Sequence, residues 1–319
     1  MKENRTASGM DPTRRRWLQA LAAAPVLAGA AAAPATARAA TKTSARIVIA
    51  GSGLGGIAVA NRLSSLLDGA KITIIDRKEE HNYQPGYTLV ATGVWPVEKV
   101  RDRNADYQPA GVEWVKDMVA GFDPAANTVI TAGGQRIPYD FLVVATGVHL
   151  DFAQIEGMDV GAIGSNGLAS VYPGPQAAQA TWAAMQAFTA KGGNAVMTLP
   201  ATPLKCAGAP LKMSFMLRDR LLKAGTLGAS KISFQSALGN VFGVKVVNDN
   251  VLERWKALGI DVEFSRKLAA IDIGARRATF VSPEGEKQEM PYDFIHVVPP
   301  MRAPDAVKNS DLAWKEGPF

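Results

Sequence analysis

The chain has a single cysteine, Cys206, and this residue has more capacity for redox chemistry than any other side chain in the sequence. It stands beside Lys205 and just before a segment whose pattern predicts a helix from about Pro210 to Lys223. A neighbouring cation and a helix N-terminus both stabilise a thiolate, so the position favours a reactive cysteine. A free cysteine is also commonly a buried structural residue, and the sequence alone leaves both interpretations open.

A glycine-rich turn provides a second candidate for chemistry. Glycines 51, 53 and 56 follow a predicted strand at 46–50 and precede a predicted helix at 57–67. The first glycine permits a tight turn, the second lets the backbone approach a pyrophosphate, and the third allows close packing of helix on strand. A second predicted strand, 71–76, ends in Asp76, which is placed to accept a hydrogen bond from a ribose hydroxyl. The pattern predicts a dinucleotide site that disfavours NADP.

A further apolar strand is predicted at 139–147, and it ends in Ala145-Thr146-Gly147. This ending resembles the ATG motif of the pyridine nucleotide-disulfide oxidoreductase superfamily, in which the motif closes the FAD-binding domain. The resemblance implies FAD rather than NAD in the first site.

The second half of the chain carries a similar pattern without a glycine turn. A predicted strand at 193–200 leads into a segment with Pro200, Pro203 and Pro210, and proline has no N–H to offer a pyrophosphate. Later segments predict strands at 231–236 and 261–264, a helix at 250–258 and a strand at 292–300 that echoes 139–147. We therefore expect an α/β protein with two Rossmann-like units, of which only the first binds a dinucleotide. NADH is not expected to supply electrons.

Composition excludes some classes of function. The net charge is +6, but residues 1–39 hold six basic and two acidic residues, so the rest of the chain carries only +2. This is weak support for nucleic-acid binding, which we do not expect. The three histidines are His81, His149 and His296, and their separation gives no metal-ligand spacing, so no metal site is predicted.

The leader resembles an export signal. Thr13-Arg14-Arg15-Arg16-Trp17-Leu18-Gln19 is similar to the twin-arginine consensus, a short alanine-rich run follows, and Ala37-Arg38-Ala39 has the form that signal peptidase cleaves. A membrane anchor or a disordered tail is the alternative. Because this pathway exports folded proteins, the signal favours a periplasmic cofactor enzyme. The predicted organisation is a signal at 1–39, an FAD-binding domain at 40–155, a second Rossmann-like domain at 156–300 and the start of a return segment at 301–319.

Three segments together resemble the sulfide:quinone oxidoreductases. The segment 202–210, with sequence TPLKCAGAP, is similar to the family's TPxKCAGAP segment around a redox-active cysteine. The segment 83–90, YQPGYTLV, is similar to its YQPxxTLV segment near the flavin. The segment ATGVHLD at 145–151, with Ile155 and Gly157, is similar to its ATGxxLD…IxG segment.

This resemblance implies that Cys206 is catalytic and that FAD oxidises sulfide and reduces a quinone at the membrane surface. One cysteine of a pair would carry sulfane sulfur or polysulfide, and the other would react with the flavin. The residues that it implies for FAD binding are Gly51, Ser52, Gly53, Leu54, Gly55, Gly56, Asp76, Arg77, Gln84, Val119, Ala145, Thr146 and Gly147.

The family's partner cysteine and membrane-binding helices would follow Phe319. We therefore expect the chain to be a fragment that lacks its C-terminal portion, with peripheral membrane contact only through that portion. The runner-up is the flavoprotein subunit of flavocytochrome c sulfide dehydrogenase, which passes electrons to a haem subunit. An inactive flavin-binding protein is a further alternative. A type II NADH dehydrogenase is disfavoured by the missing second glycine turn.

Overall fold

The computed structural model describes residues 40–314 and residue 317. The predicted twin-arginine signal and its cleavage site lie outside the described residues. The described chain forms two α/β units in sequence, and each combines a parallel sheet with a three-stranded antiparallel sheet.

The first unit contains most of the short strands. Its elements, in chain order, are β1 (Thr41–Lys42), β2 (Arg46–Ala50), α1 (Leu54–Leu66), β3 (Leu67–Asp68), β4 (Lys71–Ile75), β5 (Glu80–Asn82), α2 (Tyr87–Val90), β6 (Arg101–Arg103), β7 (Glu113–Val115), β8 (Val119–Asp123), β9 (Thr128–Thr131), β10 (Arg136–Pro138), β11 (Phe141–Val144) and β12 (His149–Leu150).

The second unit contains the three longest helices of the described residues. Its elements are β13 (Leu168–Ala169), α3 (Pro175–Thr189), β14 (Gly193–Leu199), α4 (Gly208–Ala224), β15 (Ser230–Ser236), α5 (Lys245–Leu258), β16 (Ile260–Glu263), β17 (Lys267–Asp272), β18 (Arg277–Val281), β19 (Lys287–Pro291), β20 (Phe294–His296), β21 (Met301–Arg302) and α6 (Asp305–Lys308).

Two parallel sheets organise the molecule. The first has the strand order β11-β2-β4-β7 and the second the order β13-β20-β14-β15-β16, and every neighbouring pair in both is parallel. Helices and the antiparallel sheets β10-β9-β8 and β17-β18-β19 cover the faces of these two parallel sheets. This burial on both faces explains why the strands of the parallel sheets are apolar runs. The predicted α/β class with two Rossmann-like units is confirmed.

The alternating side chains of β2 bury both faces of the first sheet. Ile47 and Ile49 pack with Ala60 of α1 in one apolar cluster. Val48 and Ala50 pack in another cluster, with the β8 residue Phe122. Both clusters lie directly behind the glycine turn, so the strand and helix that flank the turn are fixed by packing on two sides.

The similarity between segments 139–147 and 292–300 has a structural cause. In each unit a Tyr-Asp pair precedes the last parallel strand, and the aspartate binds the start of the first strand. The Asp140 carboxylate accepts a 2.7 Å bond from the Arg46 N–H, and the Asp293 carboxylate accepts a 2.8 Å bond from the Asn194 N–H. Hydrogen bonds from Arg46 lower the pKa of Asp140 to about 2.

Helix starts differ from the sequence prediction. α1 begins at Leu54, not Ile57, because packing on β2 overrides the poor helix propensity of Gly55 and Gly56. α5 begins at Lys245, not Asn250, although Val246 and Val247 have modest propensity for helix. Within residues 40–314, no helix combines the length and apolar character needed to cross a bilayer.

Candidate functional site

A cleft of about 310 Å³ opens at the carboxyl ends of β2, β4 and β11. This is the edge of a parallel sheet at which α/β proteins bind ligands. The cleft brings together four of the predicted cofactor residues, Gly51, Asp76, Val119 and Thr146. Its other lining residues are Ile75, Met118, His149, Pro304, Asp305 and Ala306.

The glycines of the turn differ in what the protein itself requires of them. Gly51 has φ +110°, and a Cβ there would overlap the carbonyl of Ala145. A Cβ on Gly56 would overlap the carbonyl of Gly51. Gly53 has φ −68° and ψ −178°, which any residue adopts, and a Cβ there would meet no atom within 4 Å. Packing therefore explains two glycines, and the open space at Gly53 fits the approach of a ligand.

The N-terminus of α1 is available to an anion. Its N-cap residue is Gly53, no side chain in the described chain caps it, and its first turn has no acidic residue. The first N–H groups of a helix have no partner within the helix, and the dipole favours negative charge at this end. A pyrophosphate group fits these donors. The residues present therefore suit FAD.

Asp76 lies where β4 ends, and hydrogen bonds fix its orientation. One carboxylate oxygen accepts a 2.8 Å bond from the Ser52 N–H, and the other accepts a 2.8 Å bond from the Lys78 N–H. The Asp76 carbonyl accepts a bond from the Trp114 indole. Because a carboxylate has about four acceptor sites, it can still accept from a ribose hydroxyl.

Asn104 is a residue of this region that sequence reasoning missed. It is buried, and its amide donates to the Ser52 hydroxyl at 2.8 Å and to the Lys78 carbonyl at 2.6 Å. Its carbonyl oxygen lies 3.1 Å from Nδ1 of His81. Asn104 thus holds together the glycine turn and the segment after β4. No motif marks it in the sequence.

The remaining predicted cofactor residues take different positions. Arg77 and Gln84 are exposed and do not line the cleft. Leu54 is exposed at the start of α1, which suits a helix end that contacts a ligand. The Ala145 N–H donates to the Ala50 carbonyl, so it joins β11 to β2 beside the turn. Gly147 has φ +70° and open space around it.

Cys206 is exposed and has a left-handed backbone, with φ 54°. For a residue other than glycine this conformation is strained, and such strain is concentrated at functional sites. The Cys206 carbonyl accepts hydrogen bonds from the Ala209 N–H at 2.9 Å and from the Tyr172 hydroxyl at 3.4 Å. α4 begins at Gly208, so the predicted place of the cysteine just before a helix is confirmed.

The turn after β14 does not have the form of a pyrophosphate cradle. β14 ends at Leu199 and α4 begins at Gly208, so residues 200–207 separate them, whereas residues 51–53 alone separate β2 from α1. Two prolines lie in this longer turn. The second unit therefore keeps the strand–helix arrangement and presents a cysteine where the first unit presents glycines.

Residues 200–207, here named the cysteine turn, are connected to the cleft through β21. The Lys205 N–H donates to the Met301 sulfur at 3.2 Å, and Met301 pairs with Leu150 of β12. Next to it, Arg302 forms ion pairs with Asp151 and with Asp305, which lines the cleft. Cys206 itself does not line the cleft, but one strand pair joins its turn to the cleft wall.

Two titratable side chains near the cysteine turn, Lys205 and Tyr172, have shifted pKa values. Burial lowers the pKa of Lys205, Lys78 lowers it further, and Cys206 acts in the opposite direction. Burial raises the pKa of Tyr172 far above the usual range, and Cys206 adds to this effect. Tyr172 therefore keeps its proton and remains a hydrogen-bond donor to the cysteine turn.

His296 lies beneath this region, in the second sheet. It is fully buried, and neither ring nitrogen has a hydrogen-bond partner in the described chain. Its ring centroid lies 6.4 Å from that of Tyr172. Burial lowers the pKa of His296 to about 3, so its imidazole is neutral at physiological pH.

The comparisons with known proteins agree with this architecture. Residues 45–187 match the family model described as pyridine nucleotide-disulphide oxidoreductase. The mitochondrial sulfide:quinone oxidoreductase of Mus musculus is 35% identical over 277 residues, which are 85% of this chain and 60% of the mouse protein. The mitochondrial sulfide:quinone oxidoreductase of Dictyostelium discoideum is 36% identical over 274 residues, which are 85% of this chain and 60% of that protein. The chain thus spans about 60% of the length of these relatives.

A solved structure supports the fold. The sulfide:quinone oxidoreductase of Aquifex aeolicus has a TM-score of 0.73 and 24% identity, with 86% of this chain and 63% of that chain covered. NDH2 from Plasmodium falciparum, in complex with NADH, has a TM-score of 0.59 and 14% identity, with 84% of this chain and 57% of that chain covered. Residues 45–187 thus match the pyridine nucleotide-disulphide oxidoreductase model, and the chain is similar in sequence to sulfide:quinone oxidoreductases over about 60% of their length.

Proposed function

We propose that the protein oxidises sulfide with bound FAD and passes the electrons to a quinone. The observation that carries this proposal is the position of Cys206, exposed and in a left-handed conformation in the turn that replaces a pyrophosphate cradle. The names of the curated relatives supply the substrates, because they are sulfide:quinone oxidoreductases. Sulfane sulfur or polysulfide is the proposed product.

A cysteine side chain such as that of Cys206 has the chemistry that sulfur transfer needs, which its thiolate form provides. It is a strong nucleophile, and it can hold a sulfane sulfur, which a hydroxyl cannot. The Tyr172 hydroxyl bonds to the Cys206 carbonyl and leaves the thiol free. The left-handed backbone and the start of α4 at Gly208 together fix the direction in which the side chain leaves the turn.

The first unit would hold FAD. FAD accepts two electrons and releases them to a second substrate. The turn at Gly53 would receive the pyrophosphate, with α1 directing its N-terminus at the phosphates. Asp76 would accept from a ribose hydroxyl, and Val119 and Thr146 would form cleft walls. The resemblance also assigns FAD contacts to Arg77 and Gln84, which lie outside the cleft.

The location is part of the proposal. We expect export by the twin-arginine pathway to the periplasm, with the quinone taken from the membrane surface. Replacing Arg14 and Arg15 by lysine should leave the protein in the cytoplasm of the producing cell. Fractionation and immunoblotting measure this, and unchanged export of the double variant would contradict the predicted signal.

The central experiment is anaerobic mixing of the FAD-loaded protein with sulfide in a stopped-flow instrument. Sulfide should bleach the flavin absorbance, and Cys206→Ser should slow this by at least about 100-fold because serine is scarcely ionised at neutral pH. Ala201→Ser, which adds a hydroxyl to an exposed position of the same turn, is the matched control and should react as the parent does. Full activity of Cys206→Ser would remove the cysteine from the mechanism.

The electron acceptor needs its own measurement. After sulfide reduction, decylubiquinone should reoxidise the flavin rapidly and cytochrome c slowly. The reverse order would favour the flavoprotein subunit of a flavocytochrome c sulfide dehydrogenase. Reduction by sulfide without reoxidation by either acceptor would contradict the quinone part of the proposal.

A further inference from the structure

Four residues beside the cleft form a closed ring of hydrogen bonds. The Asp76 carboxylate accepts from the Ser52 N–H and from the Lys78 N–H, each at 2.8 Å. At the opposite position of the ring, the Asn104 amide donates to the Ser52 hydroxyl at 2.8 Å and to the Lys78 carbonyl at 2.6 Å. The two residues that hold the Asp76 carboxylate are therefore both held by Asn104.

The side chain of Asn104 has one favourable orientation. Its backbone N–H donates to the Glu79 carbonyl at 2.8 Å, and its amide oxygen lies 3.1 Å from Nδ1 of His81. A flipped amide would place its oxygen against the Lys78 carbonyl, which can only accept a hydrogen bond. Both hydrogens of the amide are used within the ring, so Asn104 has no donor left for a ligand and acts only through its partners.

The ring begins where the strand ladder ends. β2 and β4 are paired as far as Ala50 and Ile75, and one further backbone bond joins Gly51 to Ile75. Beyond this point the bonds of the ring continue the connection between the glycine turn and the segment after β4. A ladder fixes backbone positions, whereas this ring also fixes the direction of the Asp76 side chain.

The part of the ring farthest along the bonds from Asp76 is buried. Ser52 and Asn104 are 0% and 1% exposed. A buried polar network whose members are paired is rigid, and the loss of one member leaves its partners unpaired at a cost in free energy. Without the Asn104 amide, the Ser52 hydroxyl and the Lys78 carbonyl would both lose a donor. A change at Asn104 therefore reaches the Asp76 carboxylate by two routes.

We propose that Asn104 is a positioning residue for the cofactor. Through Ser52 and Lys78 it fixes the Asp76 carboxylate in the direction that accepts a hydrogen bond from the adenosine ribose of FAD. This inference rests on FAD binding by the first unit, as in the proposed function, and not on the chemistry of sulfide. The competing explanation is that Asn104 only supports the fold, in which case its loss weakens every ligand of the cleft alike.

Three variants separate the two explanations. Asn104→Ala removes both donors of the ring, and Ser52→Ala breaks one bond of the ring with a smaller change of volume. Asn61→Ala is the matched control, because the Asn61 amide also donates to two carbonyls of the first unit, those of Ile57 and Tyr107. It has no bond to the ring. Circular dichroism checks that each variant is folded.

The first test measures recognition of the ribose without flavin or activity. Calorimetry of the FAD-free protein compares ADP with 2′-deoxy-ADP and 3′-deoxy-ADP, which lack one ribose hydroxyl each. The parent should bind ADP on the order of 10-fold more tightly than the weaker analogue, because a hydrogen bond to a carboxylate is lost. In Asn104→Ala this preference should fall to about 3-fold or less. Ser52→Ala should lie between them, and Asn61→Ala should keep the parent preference.

Two results of this test would overturn the proposal. One is an Asn104→Ala protein that binds all three nucleotides more weakly by the same factor, since that shows support of the fold alone. The other is a parent without any preference for the ribose hydroxyls, since Asp76 would then have no ribose to hold. If Asn104→Ala does not fold, Ser52→Ala decides, and a parent-like preference in Ser52→Ala would count against the ring.

The second test is a double-mutant cycle on FAD affinity, measured by fluorescence titration. Asn104→Ala should raise the dissociation constant about 10-fold in the parent and less than about 2-fold in an Asp76→Ala background, because residues that act through one another are not additive. An equal factor in both backgrounds would overturn the proposal. FAD binding without flavin reduction by sulfide would remove the proposed function and leave the inference on Asn104 standing. A parent that binds neither FAD nor ADP would remove both.

Discussion

The carboxylate of Asp76 accepts a 2.8 Å hydrogen bond from the backbone N–H of Ser52. This bond joins the residue that follows β4 to the middle of the glycine turn that follows β2. Ser52 is fully buried, and its hydroxyl accepts a further bond from Asn104. The acid and the turn therefore form one pre-organised unit at the wall of the cleft, before any cofactor arrives.

Replacing Asp76 by asparagine should weaken FAD binding. The carboxylate accepts from two backbone N–H groups, and an amide has one oxygen, so its NH₂ group would face one of these donors. We expect the dissociation constant for FAD to rise by at least about 10-fold, since hydrogen bonds to charged groups contribute about 1.5–3 kcal/mol. Flavin fluorescence titration of the apoprotein measures this. Asp68→Asn, at an exposed strand end, is the control, and an unchanged affinity in Asp76→Asn would contradict the assignment.

The glycine turn predicts two different outcomes for the same substitution. A Cβ at Gly53 would meet no atom within 4 Å, so Gly53→Val should fold and fail to bind FAD. A valine at Gly56 would overlap the Gly51 carbonyl, so Gly56→Val should lose the fold of the first unit. Absorbance of the purified protein reports flavin, and circular dichroism reports folding. Gly228→Val is the control: a Cβ there would lie in open space in the second unit, so this variant should keep both its flavin and its fold. Stoichiometric flavin in Gly53→Val would show that the FAD site is elsewhere.

NADH should not reduce the flavin on a catalytic timescale. The second unit separates β14 from α4 by residues 200–207 with two prolines, so the short turn of backbone donors that binds a pyrophosphate is missing. Anaerobic mixing of the FAD-loaded protein with NADH should leave its absorbance unchanged, while dithionite, as a positive control, bleaches it. Rapid bleaching by NADH would revive the type II dehydrogenase interpretation.

The sequence predicts the parts of this molecule that depend on local backbone chemistry. The glycines at 51, 53 and 56 indicate a tight turn between strand and helix, and the structure has that turn between β2 and α1. The repeated Tyr-Asp pairs predict two similar units, and Asp140 and Asp293 have equivalent backbone partners. Helix starts are less well predicted, because packing against a sheet overrides the local propensity of residues such as Gly55.

Contacts between residues far apart in the chain leave no local pattern. Asn104 bonds to Ser52 across 52 positions, and the Tyr172 hydroxyl bonds to Cys206 across 34. Pro304 and Ala306 complete the cleft wall from the end of the described chain. Such contacts follow from tertiary packing within each unit and between the two units. The sequence therefore predicts the central residues of each site but not the residues that support them.

Cys206→Gly should stabilise the fold. The cysteine has φ 54°, a conformation that costs about 1–2 kcal/mol for a residue with a Cβ, while glycine adds about 0.5–1 kcal/mol of backbone entropy cost. The expected net gain in the free energy of unfolding is the difference between these two terms, about 0.75 kcal/mol at the middle of both ranges. Urea denaturation measures it. Cys206→Ala keeps the Cβ and serves as the control, and a glycine variant no more stable than the alanine variant would indicate that the backbone is not strained.

His296 should make stability fall as the pH falls below neutral. The pKa of the buried ring is about 3, against an ordinary value of 6.5, so the unfolded chain binds a proton in a range where the folded chain does not. The stability that comes from the neutral ring is therefore present above pH 6.5 and is lost as the pH decreases from 6.5 towards 3. Between pH 6.5 and 5.5 this one group should remove about 1 kcal/mol from the free energy of unfolding. Urea denaturation at pH 7.5, 6.5 and 5.5 measures the slope, and both His296→Leu and His296→Gln should flatten it by the same amount even if their stabilities at pH 7.5 differ. A slope that neither variant changes would mean that the ring takes up a proton inside the fold as readily as in the unfolded chain, which contradicts a buried ring without a hydrogen-bond partner.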